Sequence, residues 1–167
     1  ALMKDVRGQN ILHRAAAHGG SAECMKVLLE KGVPFAPDNE GKTPLDIALE
    51  LNHLDLARVL QDSQTKDKVN TLDEKGYTPL HNAILKAASV RHNPVAYQAE
   101  KNRIQILLDL DADPNAKTSW AHRNKGPLHL AYKHHLPEII EMLKNKGANE
   151  TQQDFYLRTP AKILRRQ

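Results

Sequence analysis

The chain has 167 residues, enough for one domain, and contains no run of 18 apolar residues that would predict a membrane span. Its 24 basic and 20 acidic residues give a net charge of +4, short of the clustered positive charge of a nucleic-acid-binding protein. The single cysteine, Cys24, excludes an internal disulfide and favours a reducing compartment, so we expect a cytoplasmic protein. No charged and then apolar leader opens the chain, which predicts no secretory signal, and the first residue, Ala, leaves open a natural start further upstream.

One short pattern recurs along the chain and describes a sharp turn followed by a helix start. Its fullest copy is residues 73–83, where Gly76 allows a turn with positive φ. Thr78 is placed as the N-cap, and Pro79 stands at the first helical position, where its missing N–H costs nothing. Further copies, whole or eroded, lie at residues 5–15, 38–48, 126–131 and 154–161.

These imperfect copies of Thr-Pro-Leu-His-x-Ala, with a step of 33 residues from Asn10 to Thr43, resemble the ankyrin repeat. The resemblance covers nearly the whole chain. It implies an all-α fold, an ankyrin-repeat solenoid of stacked antiparallel helix pairs with hairpin-like connecting loops. We expect one domain of four repeats and a C-terminal half-repeat, at residues 5–36, 37–69, 70–116, 117–150 and 151–167.

In the first repeat the pattern predicts a helix over residues 11–17 that is broken by Gly19-Gly20. A second helix follows Ser21, its expected N-cap, and runs to Gly32. Cys24 falls in the part of this helix that faces the stack, so we expect a small buried thiol rather than a nucleophile.

In the second repeat we expect helices over residues 44–51 and 54–60, with Asn52 at the turn position where the family often has Gly. Residues 61–68 are wholly polar and lack the family's closing Leu-Leu-x-x-Gly. The second helix is therefore expected to fray early and to be followed by a mobile loop.

Repeat three carries an insertion. The step from its motif alanine to the end of its second helix is 28 residues, against 16 in repeat four, so 12 extra residues lie within residues 86–101. They either lengthen both helices or form a protruding loop, and Pro94 favours a break near Asn93. Asp111 stands where the family has its terminating Gly.

The hairpin of repeat four, residues 117–125, is also lengthened, by about four residues relative to repeat two, and it carries Trp120. A second helix is expected from Pro137 to Gly147. The half-repeat should contain one helix over residues 160–166.

Reactive side chains have a structural explanation. His13, His81 and His129 stand at the motif position, 68 and 48 residues apart, and the resemblance implies that they bond turn backbone and neighbouring hairpins rather than a metal. The adjacent His134 and His135 diverge in direction on a helix. Since the chain also has no phosphate-binding Gly-rich loop and no zinc-ligand spacing, we predict no catalytic residue, no metal site and no cofactor, and hence no enzyme.

The resemblance also implies a concave groove formed by the hairpin tips and the inner face of each first helix, whose residues do not set the fold. Aromatic side chains interleaved with Lys and Arg there are typical of interface anchors. Trp120 and Tyr97 join the set because they lie in the insertions. The alternative for Trp120 is that it folds back onto repeat three and seals the stack. The candidate partner-binding residues are Arg7, Gln9, Asn39, Glu40, Lys42, Glu74, Lys75, Tyr77, Tyr97, Trp120, His122, Arg123, Lys125, Lys133, His134, Phe155, Tyr156 and Arg158.

From the resemblance we expect a non-catalytic, monomeric module that binds another protein with an acidic or mixed surface. The alternative is a targeting domain excised from a larger enzyme, or from a bacterial effector that acts in the host-cell cytoplasm. A third interpretation, nucleic-acid binding through the basic tips, is weaker and predicts a steep salt dependence of affinity.

Overall fold

The computed structural model describes residues 3–166, with side chains described as far as Ile163, and each regular element in that range is a helix. The α-helices are α1 (Ile11–His18), α2 (Ala22–Glu30), α3 (Pro44–Glu50), α4 (Leu54–Thr65), α5 (Pro79–Ser89), α6 (Pro94–Asp109), α7 (Pro127–Lys133) and α8 (Pro137–Asn145). Short 3-10 helices cover Trp120–His122 and Pro160–Arg166. The predicted all-α fold of four helix pairs and a terminal half-unit is confirmed, and the half-unit's helix is of the 3-10 type.

The helix starts follow the predicted caps. Thr78 Oγ1 accepts from the N–H of His81 at 3.4 Å, and Thr43 Oγ1 accepts from the N–H of Asp46 at 3.2 Å. In both helices Pro is the first residue, so the orphan N–H groups of the first turn are reduced by one. Asn10 caps α1 in the same way. Local sequence is therefore enough to start each of these helices.

Two non-glycine residues take left-handed conformations where the family has Gly. Asn52 has φ +59° between α3 and α4, and Asp111 has φ +64° after α6. Asn and Asp tolerate this region better than other side chains because they bond locally to the backbone. Both predicted substitutions are confirmed as turn residues.

The described chain falls into two compact units that divide between Lys66 and Asp67. In the first unit α1 packs on α3, and α2 packs on α4. Fully buried side chains from all four helices fill its core, among them Leu12, Met25, Leu45 and Leu60. The expectation of a single domain stays a prediction.

In the second unit α5 packs on α6 and on α7, and α7 packs on α8 and on the final 3-10 helix. One hydrophobic cluster runs through these helices, with Leu80, Ile84, Leu107, Leu128 and Ile139 at its centre. Ion pairs join α6 to α8 at the surface, between Lys101 and Glu138 and between Lys146 and Asp109. This packed unit carries the lengthened hairpin.

The predicted early end of α4 is wrong. The helix continues to Thr65, and the turn that follows occupies residues 66–70. Gln61 and Thr65 are 5% and 8% exposed, and Thr65 Oγ1 donates to the carbonyl of Gln61 at 2.9 Å. The helical backbone satisfies its own groups and the Thr65 hydroxyl finds a partner within the helix, whereas Gln61 Oε1 is buried without a hydrogen-bond partner in the described part of the chain. The predicted mobile loop is thus largely helix.

The expected burial of Cys24 is also wrong, because this side chain is exposed. The buried position of α2 is taken by the next residue, Met25, which is fully buried. Since an α-helix rotates by about 100° per residue, a side chain one position away leaves the core face. Val27 is 51% exposed on the same helix.

The repeat-three insertion lengthens both helices. α5 has 11 residues and α6 has 16, against seven in α7 and nine in α8. Asn93 Oδ1 accepts from the N–H groups of Val95 and Ala96, so the predicted break at Asn93 is confirmed. Glu100, only 3% exposed, pairs with Lys86 across the two helices at 3.1 Å. The added residues therefore form packed structure.

We expect Thr78→Ala to lower the free energy of unfolding by about 1 kcal/mol, because it removes the oxygen that caps the first turn of α5. Thr71→Ala is the control, since Thr71 is exposed. Thr65 is unsuitable as a neutral position because it is buried and hydrogen-bonded. Urea denaturation of the parent protein, Thr78→Ala and Thr71→Ala measures the difference. Equal midpoints for Thr78→Ala and the parent would contradict the capping role of Thr78.

Gly76→Ala should destabilise the protein more than Gly41→Ala. Both glycines have φ +80°, where a Cβ costs about 1–2 kcal/mol. A Cβ on Gly76 would in addition overlap the side chain of Ser119, whereas Gly41 has nothing within 4 Å. We expect a difference of at least about 1 kcal/mol between the two variants, from overpacking. Indistinguishable melting temperatures would show that the hairpins of repeats three and four do not interlock at Gly76.

Candidate functional site

In four of the hairpins an aspartate oxygen accepts two backbone N–H groups and closes the turn. Asp73 Oδ1 accepts from Lys75 and Tyr77, both at 2.9 Å. The same pair of bonds is made in other hairpins by Asp5, Asp38 and Asp154. In the lengthened hairpin Thr118 stands in this place, and its Oγ1 accepts from the N–H of Lys125 at 2.9 Å. The tips are therefore built from local hydrogen bonds.

These bonds stabilise the charged form of the carboxylates. The side-chain amide of Gln9 is the main cause that lowers the pKa of Asp38. The N–H of Tyr77, and then the amide of Asn82, lower the pKa of Asp73. Burial opposes the ionisation of Asp154, but hydrogen bonds from Arg158 lower its pKa on balance. The hairpin acids are thus engaged within the chain.

The motif histidines join each helix start to the next hairpin, as the resemblance implied. His81 is fully buried; its Nδ1 accepts from the N–H of Thr78, and its Nε2–H donates to the carbonyl of Lys125 at 3.1 Å. His13 and His129 make the matching bonds to the carbonyls of residues 42 and 158. Because the backbone N–H of Thr78 can only donate, Nδ1 of His81 must be unprotonated and the His81 ring must be neutral. These three histidines are structural.

In the first unit several predicted site residues hold neighbouring hairpins together. Gln9 Nε2 donates to Asp38 Oδ2 at 3.0 Å. Asn39 donates through its backbone to the carbonyl of Arg7 at 3.0 Å, and through its side chain to the carbonyl of Val6 at 3.3 Å. Such positions contribute to the fold as well as to the surface, which the sequence pattern did not indicate.

Lys42 is likewise engaged, because its Nζ pairs with Glu50 of α3 at 2.7 Å. Glu40, Glu74 and Lys75 are exposed at hairpin tips. The carbonyl of Lys75 accepts from the ring of His122.

In the second unit two predicted residues form a stacked pair. The rings of Tyr77 and His122 lie 4.3 Å apart with an angle of 28° between their planes. Tyr77 Oη donates to His122 Nδ1 at 2.9 Å, and His122 Nε2–H donates to the carbonyl of Lys75 at 2.6 Å. The lengthened hairpin is thus held against the hairpin of repeat three by a defined side-chain contact.

Beside this pair lies a cavity of about 280 Å³. Its lining residues come from two hairpins and from α5 and α7: Tyr77, Leu85, Thr118, Ala121, His122, Arg123, Lys125, Leu130 and Lys133. Five of these are predicted site residues, so the structure brings that part of the predicted set together. Leu85 and Leu130 are aliphatic lining residues, and Arg123, Lys125 and Lys133 are cationic ones.

Exposed aromatic side chains lie on the neighbouring hairpins. Trp120 is 77% exposed, Phe155 58% and Tyr156 51%. Tyr156 is covered by the guanidinium groups of Arg123 and Arg158, whose central carbons lie 5.0 and 4.8 Å from the ring centroid. The exposure of Trp120 shows that it does not fold back to seal repeat three, which was the structural alternative for it.

Two predicted residues lie away from this cluster. Tyr97 is on α6, where it packs against the hydrophobic cluster of the second unit and below the ammonium group of Lys101. His134 follows the end of α7 and does not line the cavity; burial and the adjacent Lys133 lower its pKa.

Four lining residues were not predicted: Leu85, Thr118, Ala121 and Leu130. A spacing signal marks one of them. Lys42 lies two positions before the first-helix proline of repeat two, and Glu50 lies six positions after it. The same two positions are taken by Tyr77 and Leu85 in repeat three and by Lys125 and Lys133 in repeat four. The two positions of each pair face the inner groove, so aligning the repeats on their prolines identifies Leu85.

Among the described residues, no group of His, Cys, Asp and Glu side chains is arranged to hold a metal ion. None of the described helices is both long enough and apolar enough to cross a membrane.

Comparison with known proteins identifies the repeats. The family model described as ankyrin repeats, three copies, matches residues 1–73. Relatives include the E3 ubiquitin-protein ligase KEG of Arabidopsis thaliana, 25% identical over 88% of this chain and 11% of its own. Protein fem-1 homolog A of Bos taurus is 29% identical over 82% of this chain and 18% of its own. Ankyrin repeat and SOCS box protein 3 of Bos taurus is 30% identical over 87% of this chain and 32% of its own. The chain spans less than a third of each of these relatives.

We expect the stability of the protein to fall as the pH drops from 6.5 towards 4. Burial lowers the pKa of His81 from 6.5 to about 4, so in this window the unfolded chain binds more protons than the folded one. At 1.36 kcal/mol per pKa unit, His81 alone contributes a loss on the order of 3 kcal/mol. The carboxyl groups whose pKa is lowered from 3.8 add their own loss of stability mainly below about pH 5, towards the acid end of this window.

Urea denaturation between pH 7 and 4.5 measures this loss, and NMR titration of the His81 ring measures its cause. A ring that titrates with a midpoint near 6.5 would contradict the neutral bridging role of His81.

Proposed function

Because the chain is an ankyrin-repeat protein, we propose that it is a non-catalytic module that binds a partner protein through the basic and aromatic surface of its second unit. Ankyrin repeats generally mediate protein–protein interaction. The fold alone does not identify a partner, so the proposal depends on the side chains exposed on the second unit.

The observation that carries the proposal is the exposure of aromatic side chains in a chain that has few of them. The protein has one tryptophan, four tyrosines and two phenylalanines. Three of these, Trp120, Phe155 and Tyr156, are more than half exposed on adjacent hairpins. Trp, Tyr and Arg are the residues most enriched among those that dominate binding energy at interfaces.

Charge indicates the kind of partner. Arg123, Lys125 and Lys133 line the cavity beside the aromatic residues, and no carboxylate is among its lining residues. At the hairpin tips of the first unit, the exposed Arg7 and Glu40 carry charges of opposite sign, so they favour neither an acidic nor a basic partner. A partner with an acidic surface therefore fits the second unit best.

We expect Trp120→Ala to weaken partner binding by about 2 kcal/mol or more, as for a central interface anchor. The melting temperature should hardly change, because the side chain is 77% exposed. Val95→Ala is the matched control: Val95 is an apolar residue, 58% exposed, at the start of α6.

The experiment compares proteins captured by the parent, Trp120→Ala and Val95→Ala. A true partner is captured by the parent and by Val95→Ala and is lost with Trp120→Ala. Its dissociation constant is then measured with a fluorophore on Cys24, the single cysteine, whose side chain is exposed. Intact affinity together with a large fall in melting temperature would assign Trp120 to structure and refute the proposed interface.

A second proposal is that the module targets a larger enzyme or a bacterial effector to its partner. The comparison supports the first form, since relatives named as an E3 ubiquitin-protein ligase and as a liver glutaminase match this chain over only 11% and 10% of their own length. Sequencing the complete reading frame tests this proposal. A catalytic domain encoded in frame would support it, and a frame that encodes ankyrin repeats alone would refute it.

A further inference from the structure

The cavity of the second unit is lined by two lysines at the positions where another repeat has an ion pair. In repeat two, Lys42 pairs with Glu50 at 2.7 Å. These residues lie two positions before and six positions after the first-helix proline. In repeat four the same two positions hold Lys125 and Lys133, and both line the cavity.

The positive charges at this cavity have no counter-ion of their own. Neither Lys125 nor Lys133 forms an ion pair with a carboxylate in the described part of the chain. The nearby Asp154 is bound by Arg158 at 2.7 Å and by two backbone N–H groups. Burial, followed by repulsion from Lys133, Arg123 and Arg158, lowers the pKa of Lys125. Holding these cations together costs stability unless an anion enters.

The walls of the cavity favour a group attached to an extended stem. Leu85 and Leu130 contribute aliphatic surface to the lining, and the stacked rings of Tyr77 and His122 contribute aromatic surface. The hydroxyl of Tyr77 and the N–H of His122 are already engaged, so the cationic side chains and the hydroxyl of Thr118 are the side-chain donors that remain. The ligand is therefore recognised by charge and by its apolar stem.

A phosphoryl group matches this site better than a single carboxylate. It carries a charge between about −1.5 and −2 at neutral pH and three strong acceptor oxygens. Arginine and lysine are the usual partners of such a group. The exposed Trp120, Phe155 and Tyr156 beside the opening offer surface to the chain that flanks it.

We propose that this cavity binds the phosphoryl group of a phosphorylated side chain on the partner protein. This role rests on the proposed function, since the group is carried by the partner. It gives repeat four a use for the lysine pair that replaces an ion pair.

The first test titrates the isotope-labelled protein with O-phosphoserine, inorganic phosphate and glutamate at constant ionic strength, followed by NMR. We expect saturable shifts in the amides of residues 118–126 with O-phosphoserine, and binding of glutamate about tenfold weaker. Glutamate that binds as tightly as O-phosphoserine would overturn the phosphoryl assignment.

The decisive variant is Lys133→Glu, which recreates the charge pair of repeat two. It should abolish the O-phosphoserine shifts and raise the melting temperature, because an attractive contact replaces a repulsive one. Lys117→Glu is the matched control: Lys117 is an exposed lysine of the lengthened hairpin that does not line the cavity. Equal loss of binding in both variants would show that O-phosphoserine is attracted only by the net positive charge of the protein, and it would refute binding in the cavity.

The last arm separates this inference from the proposed function. Partner capture is repeated after phosphatase treatment, and phosphoserine peptides of randomised flanking sequence are compared with inorganic phosphate. Phosphatase-sensitive capture and tighter binding of peptides support the proposal. Capture that depends on Trp120 but survives phosphatase overturns the phosphoryl role and leaves the binding module standing. If the peptides bind no more tightly than inorganic phosphate, the proposal that the phosphoryl group is carried by the partner protein is overturned.

Discussion

The hydrogen bond from a neutral imidazole to the carbonyl of the next hairpin is the interaction on which the rest of each unit depends. The hairpins have no core of their own, so their position must come from outside. His81 supplies it with both ring nitrogens, one accepting from Thr78 and the other donating to the carbonyl of Lys125. Protonation of the ring removes the acceptor, and burial makes this costly. A buried side chain that must stay neutral thus sets the distance between successive repeats.

Fixed hairpin ends explain how repeat four tolerates extra residues. The backbone N–H of Ser119 donates to the carbonyl of Gly76 at 2.9 Å, and that of Phe155 donates to the carbonyl of Arg123 at 2.8 Å. With both sides held, the added residues form a short 3-10 turn that projects Trp120 into solvent. The insertion in repeat three has the opposite outcome, since its residues lengthen two helices and pack. One departure from the repeat pattern therefore adds surface and the other adds core.

The distribution of charge follows from the same architecture. Hairpin aspartates such as Asp73 are engaged by backbone N–H groups, and Asp154 also pairs with Arg158, so they do not neutralise the inner groove. In repeat two the groove residues Lys42 and Glu50 pair with each other, whereas repeat four places Lys125 and Lys133 at the corresponding positions. The charge of Asp154 raises the pKa of Lys125, but burial and the neighbouring cations outweigh it.

The sequence by itself determined the repeat count, the turns and the helix starts, because a cap such as Thr78 or Asn93 acts on residues within one helical turn. It did not determine burial: Gln61 is polar yet buried, since exposure depends on how the helices pack around it. Nor did it show that Lys125 and Lys133 line a cavity together with the stacked rings of Tyr77 and His122. These two aromatic residues are 45 positions apart in the sequence. Only the tertiary structure decided these features, because they arise between repeats, where the spacing along the chain carries no record of which side chains meet.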